Sequence, residues 1–537
     1  MVDYNPPLDE AYQDGVAVEK DSPREHFAQV AAAIDGTAAT LASEIAVRES
    51  LVRQSDEIPW GISDLMGFSP LYMDANLDLR GVWPEKIEAR QREARVIWGV
   101  ADDMGRSPLW IEQDGDVFAL AGPAVDGMTA GAASSVPRIV IDGDSRVDQC
   151  MDGANTNAVG WLYWLHMLCG ARFDFDAATD EGVGGQNTVQ ILAGIGPVLE
   201  SDASIVIALM STNDRTGGMT ADASIANMTS YQQQVLDAGK RLIWIAELPR
   251  GDLDDDDLVL SGQQLAYHLR VREWLLAQAS VPGVAVADPF ADMVDPADTQ
   301  ARARQGVLKD SIHESPTGAY LIAASIVPIL AQWLAPRRVL PATNADAYSA
   351  DNPAGCLIDN PMLLGSGGTV GANATGAVAT GWTVAATAGI TVVAAKITDD
   401  EGRVWQEVTV SGTASQRQCA TISIPLTAAG LTAGDSLTAV AEIEVEDGHS
   451  GLNGVPLILS LTGGATVEAV AGYAGPIGAQ INMALPALPI SGTAMTAAVA
   501  VPASPTGGSL KIGVYGDAVT AISAAVRIRA AAVRKHI

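Results

Sequence analysis

The chain has 537 residues, too many for one hydrophobic core, and this length suggests about three or four domains. Acidic residues outnumber basic ones by 64 to 32, which gives a formal net charge of −32. A surface this acidic repels phosphate backbones and anionic lipids, so we expect neither nucleic acid nor membranes as partners.

The cysteines show no paired short spacing and no histidine neighbours of the zinc-binding kind: Cys150, Cys169, Cys356 and Cys419. We interpret them as ordinary thiols and expect no metal and no cofactor. The first residues, MVDYNPPLDEAYQDG, are acidic and polar, unlike a secretory signal, and the apolar stretches are too interrupted to cross a bilayer. We therefore expect synthesis in a cytosol without a signal peptide, and no membrane insertion.

Residues 1–58 contain a long helical pattern that starts at a capping sequence. Ser22 can cap, Pro23 fits the first turn, and Glu25 can complete a capping box. Apolar or small residues then recur in steps of three and four, at Phe27, Val30, Ile34, Thr37 and Leu41. Such a narrow seam predicts a coiled coil between subunits, which makes this segment an attachment and oligomerisation helix. A single amphipathic helix lying on its own domain is the alternative.

Residues 59–125 are mixed and predict a small β-rich connector. The apolar runs VIWGV, PLWIEQ and VFAL alternate with turns that contain glycine, as in a β-hairpin.

Residues 126–340 alternate strand and helix patterns. The runs PRIVIDGD, SIVIALM, RLIWIAELP and GVAVADP are typical of buried strands, and helical patterns cover 261–279 and 318–334. This alternation predicts a parallel sheet with helices on both faces, a three-layer α/β/α domain.

Residues 345–537 are rich in Ala, Thr, Gly and Val and read as short strands between turns. This pattern predicts an all-β sandwich. Its first part, with an Asn-Pro segment and a later Gly-Trp, looks like jelly-roll carbohydrate-binding modules. A domain that only stabilises or trimerises the assembly is the alternative.

Candidate catalytic residues follow the predicted strands. Ser145 comes directly after PRIVIDGD, where open α/β sheets place their ligands. A serine hydroxyl is a weak nucleophile, so it needs a base and donors for the developing oxyanion. Asp310 and His313 have the spacing of a histidine oriented by a carboxylate. Gly185, in a glycine-rich loop, can offer a backbone N–H, and Asn213 can offer its side-chain amide.

Other polar residues in this region have simpler interpretations. His166 and His268 lie within apolar helical patterns and are expected to be structural. Asp144 is expected to support the serine turn, and Asp214 to bond within its own turn. The run Asp254–Asp257 lacks the alternating spacing and the glycine of a calcium loop, so a solvated acidic loop is favoured.

These segments, in this order, resemble the conserved blocks of the SGNH hydrolases, a branch of the GDSL esterases and lipases. The blocks stand here as Gly143-Asp144-Ser145, Gly185, Ser211-Thr212-Asn213-Asp214, and Asp310 with His313. Two positions depart from the family pattern. Arg146 replaces the usual leucine of the first block, and Ser211 replaces a glycine beside the oxyanion pocket.

The resemblance implies a three-layer α/β/α fold, no metal, and catalysis through an acyl-serine. Ser145 would attack the ester, His313 would act as general base and then acid, and Asp310 would orient His313. The oxyanion hole would consist of the N–H groups of Ser145 and Gly185 together with the Asn213 side chain.

The order of modules resembles that of bacteriophage tail proteins, of the tailspike or tail-fibre kind, that attack surface polysaccharide. It implies a homotrimeric carbohydrate esterase of the virion tail that removes acetyl groups from a bacterial surface glycan. The N-terminal region would contact other tail proteins. The protein would be made in the host cytoplasm and act outside the cell after lysis. The alternatives are a receptor-binding tail protein whose hydrolase domain is mainly a scaffold, and a bacterial esterase or lipase unrelated to phage.

Overall fold

The computed structural model describes residues 136–151, 160–175, 179–251, 260–349, 351–353, 355–473, 485–516 and 520–535, and six short strands nearer the amino terminus. The chain divides into two compact units, residues 1–133 and residues 134–537. The predicted coiled coil in 1–58 and the acidic run 254–257 lie outside the described residues.

The first unit contains two antiparallel three-stranded sheets. The first has the strands β1 Trp60–Ile62, β2 Leu71–Met73 and β3 Leu79–Gly81. The second has the strands β4 Val96–Val100, β5 Leu109–Glu112 and β6 Val117–Ala119. The second sheet is formed by the three runs that the sequence predicts as strands of the connector.

The second unit begins with a four-stranded parallel sheet in the order β10-β9-β8-β7. Its strands are β7 Ile139–Gly143, β8 Ile205–Leu209, β9 Arg241–Ile245 and β10 Val284–Ala287. Each lies within a run predicted as a buried strand, so the parallel α/β prediction is confirmed.

Strand β7 is the point where the chain changes direction across the sheet. After β7 the chain runs along its free edge, with parallel bridges from Arg138 to Asp174 and from Ile141 to Asp180. It then crosses to the other side of β7 to form β8. Ligands of open α/β sheets bind at the carboxyl ends of strands at such a switch point. The carboxyl end of β7 carries Ser145.

Helices cover both faces of the sheet. Their bounds are α1 Ser145–Asp148, α2 Trp161–Leu168, α3 Thr188–Ala193, α4 Gly196–Glu200, α5 Thr212–Thr216, α6 Ala221–Asp237, α7 Gly262–Ala277, α8 Phe290–Met293 and α9 Pro316–Trp333. Side chains of a strand point alternately to opposite faces. Accordingly, Ile141 and Ile207 belong to the apolar cluster of α2 and α9, whereas Val206 and Trp244 belong to that of α6 and α7.

Among the described residues, one helix, α9, has the length and apolar composition that a membrane-spanning helix needs. Its Ile322, Ile326 and Leu330 are buried in the apolar cluster that covers one face of the sheet. This pattern is that of a helix that packs one side against the sheet.

Residues 367–535 form two seven-stranded sheets, which confirms the predicted β-rich region. One sheet has the order β11-β13-β16-β23-β19-β20 with β18 on β23, and the other β12-β14-β15-β24-β17-β21 with β22 on β17. The bounds are β11 Gly367–Val370, β12 Ala374–Gly376, β13 Val378–Ala386, β14 Ile390–Thr398, β15 Val404–Gly412, β16 Gln418–Pro425, β17 Ser436–Val445, β18 Leu452–Gly454, β19 Leu457–Gly463, β20 Ala465–Ala471, β21 Ile490–Met495, β22 Val499–Ala500, β23 Gly507–Gly516 and β24 Ile522–Lys535. The jelly-roll topology stays a prediction.

The β-rich region packs on the α/β layer through helix α2. Trp164 of α2 stacks on Tyr473 with ring centroids 4.8 Å apart, and its edge meets Tyr320 of α9 at 5.2 Å. Buried apolar residues from both regions form one continuous cluster. The sequence predicts a domain boundary between residues 340 and 345, yet the hydrophobic core continues across it.

The contact between α2 and β21 can be tested with two glycine substitutions. A Cβ on Gly492 would lie 2.6 Å from the backbone oxygen of Met167, so Gly492→Ala forces the two regions apart. We expect a loss of about 1–3 kcal/mol in the free energy of unfolding, measured by urea denaturation. Gly262→Ala is the control, because no atom lies within 4 Å of its Cβ position. Equal stability of the two variants would contradict this packing.

Candidate active site

The turn after β7 is held tightly against β8. A Cβ on Gly143 would lie 1.9 Å from the carbonyl oxygen of Leu209, so only glycine fits this crossing. The N–H of Asp144 donates to the same oxygen at 3.3 Å, and the Asp144 side chain caps helix α1 by accepting from the N–H of Arg146. Ser145 is therefore the first residue of α1 and is half-buried at the carboxyl edge of the sheet.

The structure brings Ser145, His313 and Asp310 together. Nε2 of His313 lies 2.8 Å from Oγ of Ser145, although the two residues are 168 positions apart. Nδ1 of His313 lies 2.8 Å from Oδ2 and 3.0 Å from Oδ1 of Asp310. A proton on Nδ1 satisfies the carboxylate and leaves Nε2 free to accept from the serine hydroxyl, and we assign this tautomer from the partners.

The carboxyl of Asp310 is held in its ionised form. Partial burial alone would raise its pKa, but hydrogen bonds from the His313 ring and from two backbone N–H groups outweigh that effect. Those N–H groups belong to Ile312 and His313 and lie 2.8 Å from Oδ1. The pKa of Asp310 is thereby lowered to about 2, so this group is a carboxylate at neutral pH.

The glycine-rich loop covers helix α1. Val183 donates its N–H to the carbonyl of Gly143 at 3.0 Å, and a Cβ on Gly184 would lie 3.9 Å from the Cβ of Ser145. Gly185 follows with φ of +81° and no atom within 4 Å of its Cβ position. Gly185 is exposed and has a backbone conformation that favours glycine.

Asn213 lies in α5 and contacts the same loop. Its Nδ2 donates to the carbonyl of Gln186 at 2.8 Å, which joins the two segments predicted to stabilise the oxyanion. Ser211, at the start of this turn, has φ of +95°, a conformation that glycine adopts without strain. The Ser211 hydroxyl donates to Glu247 Oε1 at 2.5 Å, and this bond helps to hold serine where the family has glycine.

Sequence reasoning missed a buried ion pair beneath this site. The Arg146 guanidinium donates to both oxygens of Asp144, at 2.9 and 2.7 Å, and to Glu247 Oε2 at 3.1 Å. All three side chains are almost completely buried. The available signal was Glu247 itself, an acidic residue at the carboxyl end of the apolar run RLIWIAELP.

Asp214 contacts Arg215 in its own turn at 3.5 Å, as predicted, but its side-chain hydrogen bonds reach other elements. It accepts from the N–H and the hydroxyl of Thr188, at 2.9 and 2.8 Å, and from the hydroxyl of Ser224. The predicted structural histidines are buried and bond to backbone carbonyls, His166 to Phe173 and His268 to Leu248. Burial lowers the pKa of both imidazoles, that of His166 to about 4.

Two further carboxyls beside the serine turn have raised pKa values. Burial raises the pKa of Asp142 to about 7, although the hydroxyl of Tyr231 donates to it at 2.8 Å. Burial and the neighbouring charges of Asp148 and Glu181 raise the pKa of Asp180 to about 7. Ionising either group in the folded protein therefore costs free energy.

The raised pKa of Asp142 predicts a stability that depends on pH. The folded pKa of about 7 exceeds the unfolded value, ~3.9, so the stabilising effect of the protonated form is lost as pH rises through this window. Asp142→Asn removes the titration and retains an acceptor for Tyr231. We expect the melting temperature of Asp142→Asn, relative to wild type, to increase between pH 4 and 7. The exposed Asp292→Asn is the control, and a constant difference for Asp142→Asn would contradict the shift.

A comparison with protein-family models gives a match in the α/β part of the chain. Residues 143–321 match the model of the GDSL-like Lipase/Acylhydrolase family, and this range includes Ser145 and His313. A search of curated proteins returned no match.

Solved structures resemble part of this chain at low sequence identity. A GDSL-like lipase from Bacteroides thetaiotaomicron is 16% identical over 37% of this chain and 89% of its own, with a TM-score of 0.29. A lipolytic protein of the G-D-S-L family from Veillonella parvula is 20% identical over 36% and 97%, with a TM-score of 0.28. An acetyl-xylooligosaccharide esterase from Geobacillus is 15% identical over 38% and 98%, with a TM-score of 0.27. The family match therefore assigns a GDSL-like lipase/acylhydrolase domain to residues 143–321 of this chain.

Proposed function

We propose that this protein is a serine esterase that removes acetyl groups from a bacterial surface polysaccharide as part of a phage tail. The observation that carries the catalytic part is the hydrogen-bond chain from Asp310 through His313 to Ser145, with both nitrogen–oxygen contacts at 2.8 Å. This arrangement supplies a nucleophile, a base and an orienting carboxylate, which together define acyl transfer through serine.

In the first half of the reaction Ser145 Oγ attacks the ester carbonyl. His313 Nε2 takes the hydroxyl proton as the new C–O bond forms, and then gives it to the departing alcohol. In the second half, water loses a proton to the same nitrogen and attacks the acyl-serine. His313 Nε2 then returns this proton to Ser145 Oγ as the bond from Oγ to the acyl carbon breaks and acetate leaves. The Asp310 carboxylate stabilises the imidazolium that exists during both steps, and its pKa of about 2 keeps it ionised throughout.

The oxyanion of each tetrahedral intermediate needs donors that are already in place. We assign this role to the N–H groups of Ser145 and Gly185 and to the side-chain amide of Asn213. Nδ2 of Asn213 carries two hydrogens and gives one to the carbonyl of Gln186, so the other remains for the oxyanion. Removal of a single such donor typically lowers kcat by about 10²–10³-fold.

The glycan substrate and the tail context are supported by the organisation of the whole chain. An esterase domain needs about 200 residues, and the remaining residues carry a predicted coiled-coil seam, a β connector and a β-rich region. The β-rich region packs directly on the esterase layer through Trp164 and Tyr473. Such packing suits a protein that has to present an ester group of a large polymer to a site at the edge of a sheet.

Acetate release tests this function directly. We expect wild type to release acetate from acetylated bacterial polysaccharides, and Ser145→Ala to lose about 10⁴-fold or more, because no nucleophile remains. Ser201→Ala is the matched control, since its hydroxyl donates to the Val198 carbonyl and accepts from Lys240, and neither of these residues belongs to the active site. Equal release by Ser145→Ala and wild type would refute the esterase. Polysaccharide binding without any hydrolysis of small acetyl esters would favour the receptor-binding alternative.

The predicted trimer can be tested by the mass of the protein in solution. We expect light scattering at micromolar concentration to give about three times the 55.6 kDa of the chain, because the seam in residues 22–52 needs partners to bury it. A monomer at this concentration would contradict the coiled coil, and deletion of residues 1–58 serves as the control that should be monomeric.

A further inference from the structure

A buried polar network lies beneath the nucleophile, and the mechanism above does not use it. It joins the residues that follow three parallel strands: Asp144 and Arg146 after β7, Ser211 after β8 and Glu247 after β9. We call these four residues the Arg146 network. Each of them is at most 1% exposed.

The network forms one continuous path between two turns of the active site. The Arg146 guanidinium donates two hydrogen bonds to Asp144 and a third to Glu247. The other oxygen of Glu247 accepts from the Ser211 hydroxyl at 2.5 Å. Ser145 stands between Asp144 and Arg146, and Asn213 is two residues after Ser211. The path therefore connects the backbone that carries the nucleophile with the backbone that carries an oxyanion donor.

Neighbouring groups offset the cost of burying the charges of Arg146 and Glu247. Burial alone would raise the pKa of Glu247, but Arg146, His268 and the Ser211 hydroxyl lower it. Burial would lower the pKa of Arg146, but Asp144 and Glu247 raise it. Glu247 thus stays ionised between its partners, and each hydrogen bond of the network is charge-assisted and has a defined direction.

Stability alone does not explain such a network. Desolvating buried ions costs several kcal/mol each, and well-packed apolar residues of similar volume are often as stable or more so. A leucine, the usual residue of the first block, would fill the position of Arg146 without that cost. A guanidinium differs from leucine in that its planar, forked set of N–H donors holds two carboxylates at fixed distances and angles.

We propose that Arg146 is a positioning residue of the esterase: through Asp144 on one side and Glu247 with Ser211 on the other, it fixes the nucleophile turn relative to the Asn213 turn. This inference rests on the proposed function. Arg146 does not contact substrate; it acts on where Ser145 Oγ and Asn213 Nδ2 stand when the tetrahedral intermediate forms. Because the oxyanion exists only in the transition state and intermediate, loosening the network lowers kcat and leaves KM nearly unchanged.

Kinetics with p-nitrophenyl acetate test this role in two variants. Arg146→Met removes the fork with similar length, and Ser211→Gly removes only the hydroxyl, because glycine readily adopts the φ of +95°. We expect Arg146→Met to lower kcat by about 10²-fold, comparable to the loss of an oxyanion donor, with KM within about twofold. Ser211→Gly should lower kcat less, and the double variant should resemble Arg146→Met, since both changes break one path.

Two further variants separate positioning from folding. Arg146→Lys keeps the positive charge but lacks the forked donors. Compared with Arg146→Met, we expect its melting temperature to be closer to that of wild type, while its kcat stays low. Lys240→Met removes a buried cation at the opposite end of β9, where its Nζ donates to the carbonyls of Ser201 and Ala203 at 2.6 Å. We expect Lys240→Met to lower the melting temperature and to keep the kcat of wild type.

The outcomes distinguish this role from the proposed function. Wild-type kcat in both Arg146→Met and Ser211→Gly would overturn the positioning role while Ser145→Ala remains inactive. If Arg146→Met does not fold, Ser211→Gly decides, because an unchanged kcat there overturns the role and a lowered kcat with unchanged KM supports it. Full activity of Ser145→Ala would instead overturn the esterase itself.

Discussion

The backbone contact between Gly143 and Leu209 is the constraint on which the site depends. Without a side chain at Gly143, β7 can turn directly against the carbonyl of β8, and the next residues are forced to the open edge of the sheet. This crossing sets the height of Ser145 above the strands. The loop with Gly184 and the segment with His313 then meet the serine from either side, so three distant parts of the chain share one fixed reference point.

Polar groups around the serine fall into two layers with different electrostatics. In the upper layer Asp310 is partly solvated and hydrogen-bonded, which keeps it ionised beside a histidine that has to change charge. In the lower layer Arg146 and Glu247 are excluded from water, and each favours the charged form of the other. Charge can therefore move in the upper layer during a reaction, whereas the lower layer keeps its charges and its geometry.

Much of the fold was predictable because burial leaves a periodic record in the sequence. The four parallel strands and helices α7 and α9 coincide with predicted segments, and the positions of Ser145, Asp310 and His313 followed from strand ends and motif order. Contacts between residues far apart in the sequence leave no periodic pattern and were not predicted. The bond from Ser211 to Glu247, the reach of Asp214 to Thr188 and the stacking of Trp164 on Tyr473 depend on which turns meet in space. Local sequence patterns do not show which turns come into contact in the folded protein.

The stacking of Tyr473 on Trp164 has a consequence for how this protein can change in evolution. Because the apolar core continues from the esterase layer into the β-rich region, the two cannot be exchanged between proteins as independent cassettes. A different β-rich region would have to place an aromatic side chain against the same face of α2, or the residues of that face would have to be substituted. A crossover at residues 340–345 that brings in an unrelated β-rich region would remove Tyr473 from the Trp164 indole and expose that ring to water.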